Sequence, residues 1–422
     1  MVSFFFNKNR GSNDFTTTEK FASTIARQLA RYSNDFRDAL VALDLNQITR
    51  LDNKKQQVEK LVIELANRVK TWPRRVVIVI DGLDECDTLK DLLELVRKLL
   101  ELPSAFVIFI SCRPDQSVKP FFEAIPPKDL KTRYLDDVDD AKDDLLTYVR
   151  RSLRDIQDTS GSGKWPPEVP RMDAFAATCG KLFEIAAIRI RQIRDRTDTQ
   201  APIDIFNDIP NTPPLELWDE YLRILRCAYT ARLKSEKTQS DEHAYNEYRL
   251  AVGTLITVLE SMTHQSLADL VEMEVWQVHA VLQPLYPVMV IGDSDKATKF
   301  KFYHASFKEF LLSNHGSEQD GEFPISFGGA RHVETLKRCL KNFQISDYGR
   351  KMWARHLTAV TAEEALHIHA VLKPFLEKDL FEWLEHMSSC DAHGRYLPPC
   401  IRTCSVVFTP FNRCTPYSPE VV

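Results

Sequence analysis

One stretch decides how the first third of the chain folds: Val76-Val77-Ile78-Val79-Ile80-Asp81-Gly82-Leu83-Asp84-Glu85-Cys86-Asp87. Its first five residues are all valine or isoleucine, which is typical of a strand buried in a parallel sheet. Acidic residues follow at once. Because open parallel sheets bind ligands at the carboxyl ends of their strands, the stretch predicts a buried strand that delivers carboxylates to a binding edge.

The sequence on either side supplies partners for this strand. Residues Ala105–Ile110 form a second apolar run, and the leucine-rich segment 89–100 between the two runs has helical spacing. Strand, helix and strand in that order form a βαβ unit, so we expect a parallel sheet covered by helices. The apolar run Ser3–Phe6 predicts a further strand.

The ends of the two main strands carry the candidate site. Asp81, Asp84 and Glu85 follow the first strand, and Arg113 follows the second. Mg²⁺ prefers oxygen ligands, and phosphoryl transfer needs a group that orients the nucleophile and a cation for the developing charge. We therefore expect Asp81 to hold Mg²⁺ through water, Glu85 to orient the attacking water and Arg113 to contact the terminal phosphate. The open alternative is that the acidic residues only cap a helix beginning near Thr88.

Beyond the sheet the pattern is mostly helical, so the expected fold class is α/β followed by mostly α. The predicted domains are a partial parallel-sheet nucleotide-binding domain (1–130), a helical domain (131–245), a winged helix (246–313) and a helical C-terminal region with a tail rich in cysteine and proline (314–422). The winged helix is predicted from three amphipathic segments followed by a hairpin around Asp293–Lys296. Its third helix, 274–285, contains no lysine or arginine, so we expect no nucleic-acid partner.

Four segments resemble NACHT-type NTPases, the signal-transduction ATPases that include fungal NOD-like receptors. Residues 76–87 are similar to the family's Walker B segment, Ser111–Pro114 to its sensor 1, Phe302–Leu311 to its winged-helix motif and Ser3–Phe6 to the strand after its Walker A helix. The resemblance implies a P-loop NTPase of the STAND class with Mg²⁺ and ATP or ADP as cofactors. It also implies nucleotide-site roles for the residues listed above: Asp81, Asp84, Glu85 and Arg113.

The winged-helix resemblance singles out His304. In the family, the matching histidine contacts the β-phosphate of bound ADP and holds the inactive state, so His304 is the predicted nucleotide-binding residue outside the sheet. The alternative is a half-buried histidine that caps a helix beginning near Ala305. The implied partners are other NACHT-type chains or signalling effectors, in innate immunity or programmed cell death.

The chain departs from the family at the phosphate-binding loop. The family places a Gly-x-x-x-x-Gly-Lys-Ser/Thr loop before the phenylalanine-rich strand, where this sequence has only Met1 and Val2. The segment Gly161–Trp165 contains Gly-Lys, but Asp158 occupies the first glycine position and Trp165 replaces the hydroxyl. Since the loop supplies the main phosphate contacts, we expect no ATP hydrolysis by this chain alone. Two hypotheses stay open: a nucleotide-switched signalling ATPase, or an inactive adaptor that keeps the fold.

Composition excludes several other classes. The 422 residues are 44% hydrophobic and 27% charged, which is ordinary for a globular protein, and the net charge of −5 offers no attraction to nucleic acid or anionic lipid. No apolar run approaches the roughly 18 residues of a membrane-spanning helix, and the first residues lack the pattern of a signal peptide. Nine scattered cysteines favour reduced thiols and a cytoplasmic location.

The C-terminal cysteines raise the question of a zinc site. Cys390, Cys400, Cys404 and Cys414 lie near His386 and His393. Structural zinc sites usually have closely paired ligands, and this spacing lacks such pairs. The interspersed prolines favour a loose tail without metal.

Overall fold

The computed structural model describes residues 1–7, 16–43, 53–72, 74–113, 117–126, 128–134, 141–158, 163–195, 200–210, 216–233, 239–292, 298–313, 331–360 and 368–390. The chain divides into an N-terminal unit, Met1–Asp137, and a C-terminal unit, Val138–Val422. The described residues are mostly helical and include a small three-stranded parallel sheet. This agrees with the predicted α/β fold followed by helices, whereas the P-loop NTPase assignment and the four-domain division stay predictions.

The N-terminal unit contains the parallel sheet. Strands β1 (Val2–Phe5) and β3 (Phe106–Ile110) both pair with β2 (Val76–Asp81), so the order is β1-β2-β3. All three predicted strands are confirmed. Because the strands are parallel, their carboxyl ends meet at one edge, which we call the sheet edge and define by Asp81–Glu85 and Ser111–Arg113.

Helices pack against one face of this sheet. They are α1 (Phe21–Tyr32), α2 (Asn34–Val41), α3 (Lys54–Val58), which continues through a π-helical turn (Glu59–Ile63) into α4 (Glu64–Arg68), then α5 (Leu89–Leu99) and α6 (Lys119–Glu123). Apolar residues of these helices form one core cluster with the buried residues of the strands. The amphipathic spacing of α1 and α5 gives each helix an apolar stripe towards that core.

The two faces of the sheet differ in burial. Ile78 and Ile80 are fully buried in the core, whereas Phe5 is 53% exposed, Val107 45% and Phe109 58%. Successive residues of a strand point to opposite faces, so these exposed side chains belong to the face opposite the core. Within the described residues, the predicted helical cover is therefore present on one face, whereas side chains of β1 and β3 are exposed on the other.

The described residues of the C-terminal unit are helical apart from turns, loops and one short strand pair. Its helices are α7 (Ala141–Arg154), α8 (Val169–Ala177), α9 (Phe183–Arg194), α10 (Pro202–Asp208), α11 (Leu217–Leu233), α12 (Gln239–Thr257), α13 (His264–Val271), α14 (Val275–Leu282), α15 (Ala305–Leu312), α16 (Arg331–Lys341), α17 (Asp347–Thr358), α18 (His369–Lys378) and α19 (Leu380–Cys390). The antiparallel strands β4 (Met289–Val290) and β5 (Lys301–Phe302) follow α14. Three helices and a strand pair are thus present in the predicted order, and the predicted turn 293–296 lies outside the described residues.

An ion pair is buried inside the C-terminal unit. Arg189 on α9 and Glu220 on α11 are each 1% exposed, and the guanidinium donates to the two carboxylate oxygens at 3.1 and 3.0 Å. Arg189 also donates to Thr178 Oγ1 at 2.7 Å, and Arg223 donates to Glu220 at 2.6 Å. Burial raises the pKa of Glu220, but the hydrogen bonds from Arg223 and Arg189 outweigh it and hold this pKa below its usual value. The carboxylate therefore stays ionised and links α9 to α11.

Candidate functional site

The sheet edge is built by the backbone where β2 and β3 end. Ser111 N–H donates to the Ile80 carbonyl at 3.0 Å, and Leu83 N–H donates to the Ser111 carbonyl at 3.1 Å. These bonds extend the pairing of the two strands beyond their last regular residues. Asp81 and Ser111 are therefore held on neighbouring chain segments, as the sequence predicted for the two strand ends.

A hydroxyl links the two strand ends directly. Ser111 Oγ donates to Asp81 Oδ1, and Gly82 N–H donates to Ser111 Oγ at 3.3 Å. This places Ser111 between the carboxylate and the turn. Ser111 belongs to the segment that resembles sensor 1, but the predicted site does not include it. The signal that could have identified it is a hydroxyl directly after an apolar strand.

Gly82 makes the sharp turn after β2 possible. Its φ of 68° lies in the left-handed region, and a Cβ at this position would lie 3.0 Å from the Phe6 carbonyl oxygen. Phe6 N–H donates to the Asp81 carbonyl at 2.9 Å, so the chain after β1 lies close to the turn. A 3₁₀ turn, Leu83–Glu85, follows with Leu83 buried, and it positions Asp84 and Glu85 at the sheet edge.

Asp84 and Arg113 form a second contact across the edge. Arg113 N–H donates to Asp84 Oδ1 at 3.0 Å, and the guanidinium Nε lies 3.6 Å from Asp84 Oδ2. The Asp84 side chain is 15% exposed and that of Arg113 43% exposed. The predicted contact of Arg113 with a phosphate would therefore require its guanidinium to share or leave this carboxylate.

The hydrogen bonds of Asp81 and Asp84 are not those of helix capping. Helix α5 begins after Thr88 without a side-chain capping bond, and its first-turn acidic residue is Asp91. Asp81 and Asp84 instead bond to Ser111 and Arg113. The four residues predicted for the site, namely Asp81, Asp84, Glu85 and Arg113, lie at one edge.

The donor set at the edge fits Mg²⁺ only together with a ligand. Among the described residues, no group of three or more histidine, cysteine, aspartate or glutamate side chains is placed to hold a metal ion. Mg²⁺ commonly keeps several waters and takes one or two carboxylates plus the phosphates of a substrate. The exposed carboxylate of Asp81 suits that arrangement, since one of its oxygens accepts from Ser111 and the other can accept from a metal-bound water.

His304 belongs to the C-terminal unit. Its Nδ1 accepts from Ser306 N–H at 3.2 Å, and this bond caps α15 at its N-terminus. Ser306 Oγ lies 2.5 Å from the same nitrogen and 2.7 Å from the Tyr221 hydroxyl. Burial raises the pKa of Tyr221, so that hydroxyl stays protonated. The capping alternative is thus observed, and a phosphate contact would have to use His304 Nε2.

Two other sequence features fall mostly outside the described residues. Residues 161 and 162 of the Gly-Lys segment lie outside the described residues. Trp165, at the end of that segment, donates through Nε1 to the Ile156 carbonyl at 3.0 Å. In the described chain the preceding element is α7, whereas a phosphate-binding loop would follow a strand.

Cys400, Cys404, Cys414 and His393 also lie outside the described residues, so the zinc question stays open.

Comparison with known proteins adds one match. A family model described as Nephrocystin 3, N-terminal, matches residues 1–113. This range contains the three strands and ends at Arg113, so it includes the four predicted site residues of the sheet edge. The matched family is not NACHT itself, and the NACHT resemblance stays a prediction. No curated protein is significantly similar to the chain.

The helices can be compared with the requirements for spanning a membrane. Across the described ranges, no helix combines the length and the apolar character needed to cross a bilayer. The cytoplasmic location stays a prediction.

Proposed function

We propose that the sheet edge is the phosphate end of a nucleotide site and that the chain is a nucleotide-responsive signalling protein of the NACHT type. One observation carries this proposal: Asp81 and Ser111 are hydrogen-bonded at the carboxyl ends of adjacent parallel strands, beside Asp84 and Arg113. Such strand ends are where open parallel sheets bind nucleotides. Other NACHT-type chains or signalling effectors are the proposed partners.

Each residue has a proposed role. Asp81, oriented by Ser111, would hold Mg²⁺ by accepting from one of its waters, and the ion would supply positive charge to neutralise the phosphate. Glu85 would orient an attacking water, and Arg113 would move from Asp84 to the terminal phosphate, where a cation is required. His304 would contact the diphosphate through Nε2 and so bias the conformation of the chain.

We also propose that this chain does not hydrolyse ATP by itself. No Gly-x-x-x-x-Gly-Lys-Ser/Thr sequence occurs in its 422 residues. The backbone N–H groups and the lysine of that loop provide most phosphate contacts in the related enzymes. At the sheet edge, the described cation is Arg113, and Asp84 already neutralises part of its charge. We therefore expect weak nucleotide binding without turnover.

Calorimetry of the full chain with Mg·ADP and Mg·ATP tests the site. Asp81→Asn is expected to weaken binding about tenfold or more when Mg²⁺ is present, because the carboxylate orients a metal-bound water. The matched control is Asp87→Asn, an exposed acidic residue of the same turn, which should bind like the wild type. Equal affinity in both variants would refute the assignment of the sheet edge.

Hydrolysis is tested separately. An ATPase assay on the purified chain, with Glu85→Gln as its partner variant, is expected to show no difference between the two proteins. Turnover that depends on Glu85 would refute the proposed inactivity while supporting the site itself.

A catalytically inactive adaptor is the second candidate. The exposed apolar side chains of Phe5, Val107 and Phe109 favour it, because contiguous apolar surface commonly marks a protein interface. This candidate predicts association through the open face of the sheet. Analytical ultracentrifugation should then show self-association that Phe109→Ser reduces, together with no binding of either nucleotide at millimolar concentration.

A further inference from the structure

A cavity lies between two helices of the C-terminal unit and is unrelated to the sheet edge. It has a volume of about 310 Å³ and opens between α12 and α16. The polar residues that line it are Asn246, Arg249 and Thr254 from α12, and Glu334, Thr335 and Arg338 from α16. Small-molecule sites have volumes from about 300 Å³ upwards, so the cavity admits a small ligand.

The cavity exists because of how the two helices present their side chains. Its lining positions on α12 are three, four and seven residues apart, so they share one face of that helix. Gly253 is one of these positions and contributes no side chain to the space between the helices. The neighbouring residues Val252 and Leu336 are buried in the core, so the cavity lies beside a packed helix contact.

The hydroxyls of two threonines face this space. Thr254 and Thr335 are each 4% exposed, and both line the cavity. Within the described part of the chain, neither hydroxyl takes part in a hydrogen bond. Each hydroxyl can therefore donate a hydrogen bond to an acceptor that enters the cavity.

The charges of the cavity favour an anion. Arg249 and Arg338 supply two guanidiniums, and Glu334 is the acidic residue of the lining. Glu334 Oε1 lies 3.1 Å from Arg338 Nη2, and this pair orients the guanidinium along α16. Most lining groups are hydrogen-bond donors, and they come from both helices. A tetrahedral oxyanion accepts from several donors at once, and arginine binds phosphate through paired N–H groups.

We propose that this cavity binds a small phosphate ester, with its phosphate held by Arg249, Arg338, Thr254 and Thr335. The ligand bridges α12 and α16 and therefore stabilises their contact. The cavity volume of about 310 Å³ limits the ligand to a compact phosphorylated molecule. The proposal does not depend on nucleotide binding at the sheet edge.

Thermal unfolding of the full chain tests the proposal with two probes, inorganic phosphate and glycerol phosphate, against sodium chloride and sodium acetate at equal ionic strength. Both phosphate probes should raise the midpoint in a saturable way, because both carry the phosphate group that the cavity holds. Arg338→Gln should weaken the response about tenfold or more, since a charge-assisted hydrogen bond is lost. The matched control is Arg154→Gln, an exposed arginine on α7, which should respond like the wild type.

Two further variants keep the test decisive if Arg338→Gln folds poorly. Gly253→Met should fill the cavity and abolish the response without removing a charge. Thr335→Val should weaken the response while leaving the midpoint without ligand unchanged or higher, because its hydroxyl has no partner to lose. Equal phosphate effects in all variants, an equal effect of acetate, absence of any saturable shift, or a lower ligand-free midpoint in Thr335→Val would each overturn the proposal.

Discussion

Two arginine–carboxylate pairs, one in each unit, lie in opposite environments. Arg189 and Glu220 are each 1% exposed and bond through both carboxylate oxygens. Arg113 and Asp84 are partly exposed, and their charged groups are 3.6 Å apart. The same residue types therefore serve different ends: the buried pair fixes the packing of α9 on α11, whereas the exposed pair leaves a cation at a candidate ligand site.

The physical basis of this difference is solvent. When a buried charge loses its partner, no water is present to solvate that charge, so the pair is held tightly once it has formed. A partly exposed pair gains less, because water screens the guanidinium of Arg113 and competes for it. Arg113 can therefore change partners at little cost, which is what a phosphate-contacting arginine requires.

The largest expected effect comes from breaking the buried pair. Arg189→Met should lower the free energy of unfolding by about 3 to 5 kcal/mol, because Glu220 stays buried with only part of its partners. Urea denaturation followed by tryptophan fluorescence measures this. Arg189→Met combined with Glu220→Met should be less destabilised than the single variant, since no charge is left buried. A loss below 1 kcal/mol in the single variant would contradict the structural role.

Acid should lower the stability of the chain through a second buried group in the same unit, His356. His356 is fully buried, with Nε2 lying 2.8 Å from the Tyr348 hydroxyl and Nδ1 3.0 Å from His332 Nδ1. Burial, together with the charges of His332 and Arg355, lowers the pKa of His356 to about 3. The unfolded chain therefore binds a proton that the folded chain excludes, so stability is lost as the pH falls below about 6.5.

The expected size of this acid effect is about 1.4 kcal/mol per pH unit between roughly pH 6 and pH 4. Unfolding free energies of the wild type and of His356→Gln, measured from pH 8 to pH 4, should run parallel above pH 7. Below that they should converge, because the variant has no buried histidine to protonate. Curves that stay parallel down to pH 4 would contradict the prediction.

A smaller effect is expected at the turn that builds the sheet edge. Gly82→Ala should cost about 1 to 2 kcal/mol for its left-handed backbone, and more because the new Cβ meets the Phe6 carbonyl at 3.0 Å. Gly180→Ala is the matched control in the C-terminal unit, since its φ is 64° and no atom lies within 4 Å of an added Cβ. Equal losses in urea denaturation would show that the Phe6 carbonyl does not constrain the turn.

The smallest effect on stability is expected from the exposed pair. Arg113→Met should change the free energy of unfolding by at most about 1 kcal/mol, because the pair is screened by water. Its nucleotide affinity in calorimetry should nevertheless fall if Arg113 contacts phosphate. A loss of several kcal/mol in urea denaturation would mean that this pair, like Arg189 and Glu220, is structural.

Several features were predictable because they depend on residues that are neighbours in sequence. The apolar runs before Asp81 and Ser111 identified both strands, and a βαβ order required them to be parallel. The acidic turn could be placed at the sheet edge for the same reason. Ser111 was harder to select, because a serine after a strand becomes informative only when the register brings it beside Asp81.

His304 shows where a sequence pattern has two meanings. The segment that resembles a nucleotide-sensing motif also places a polar ring directly before a helix. The structure shows that Nδ1 caps α15 through Ser306, which is a local consequence of chain geometry. A contact with nucleotide would involve Nε2, so calorimetry on His304→Ala is the direct way to separate the two roles.

The sequence by itself determined the three strands, their parallel order, the acidic edge and the helical character of the rest. These follow from local periodicity, in which each residue is interpreted with its immediate neighbours. The tertiary structure alone decided which face of the sheet is exposed, which arginine is buried, and that Thr254 and Thr335 share a cavity although 80 residues separate them. The reason is that burial and pairing depend on how distant helices dock, and docking is a property of the whole fold.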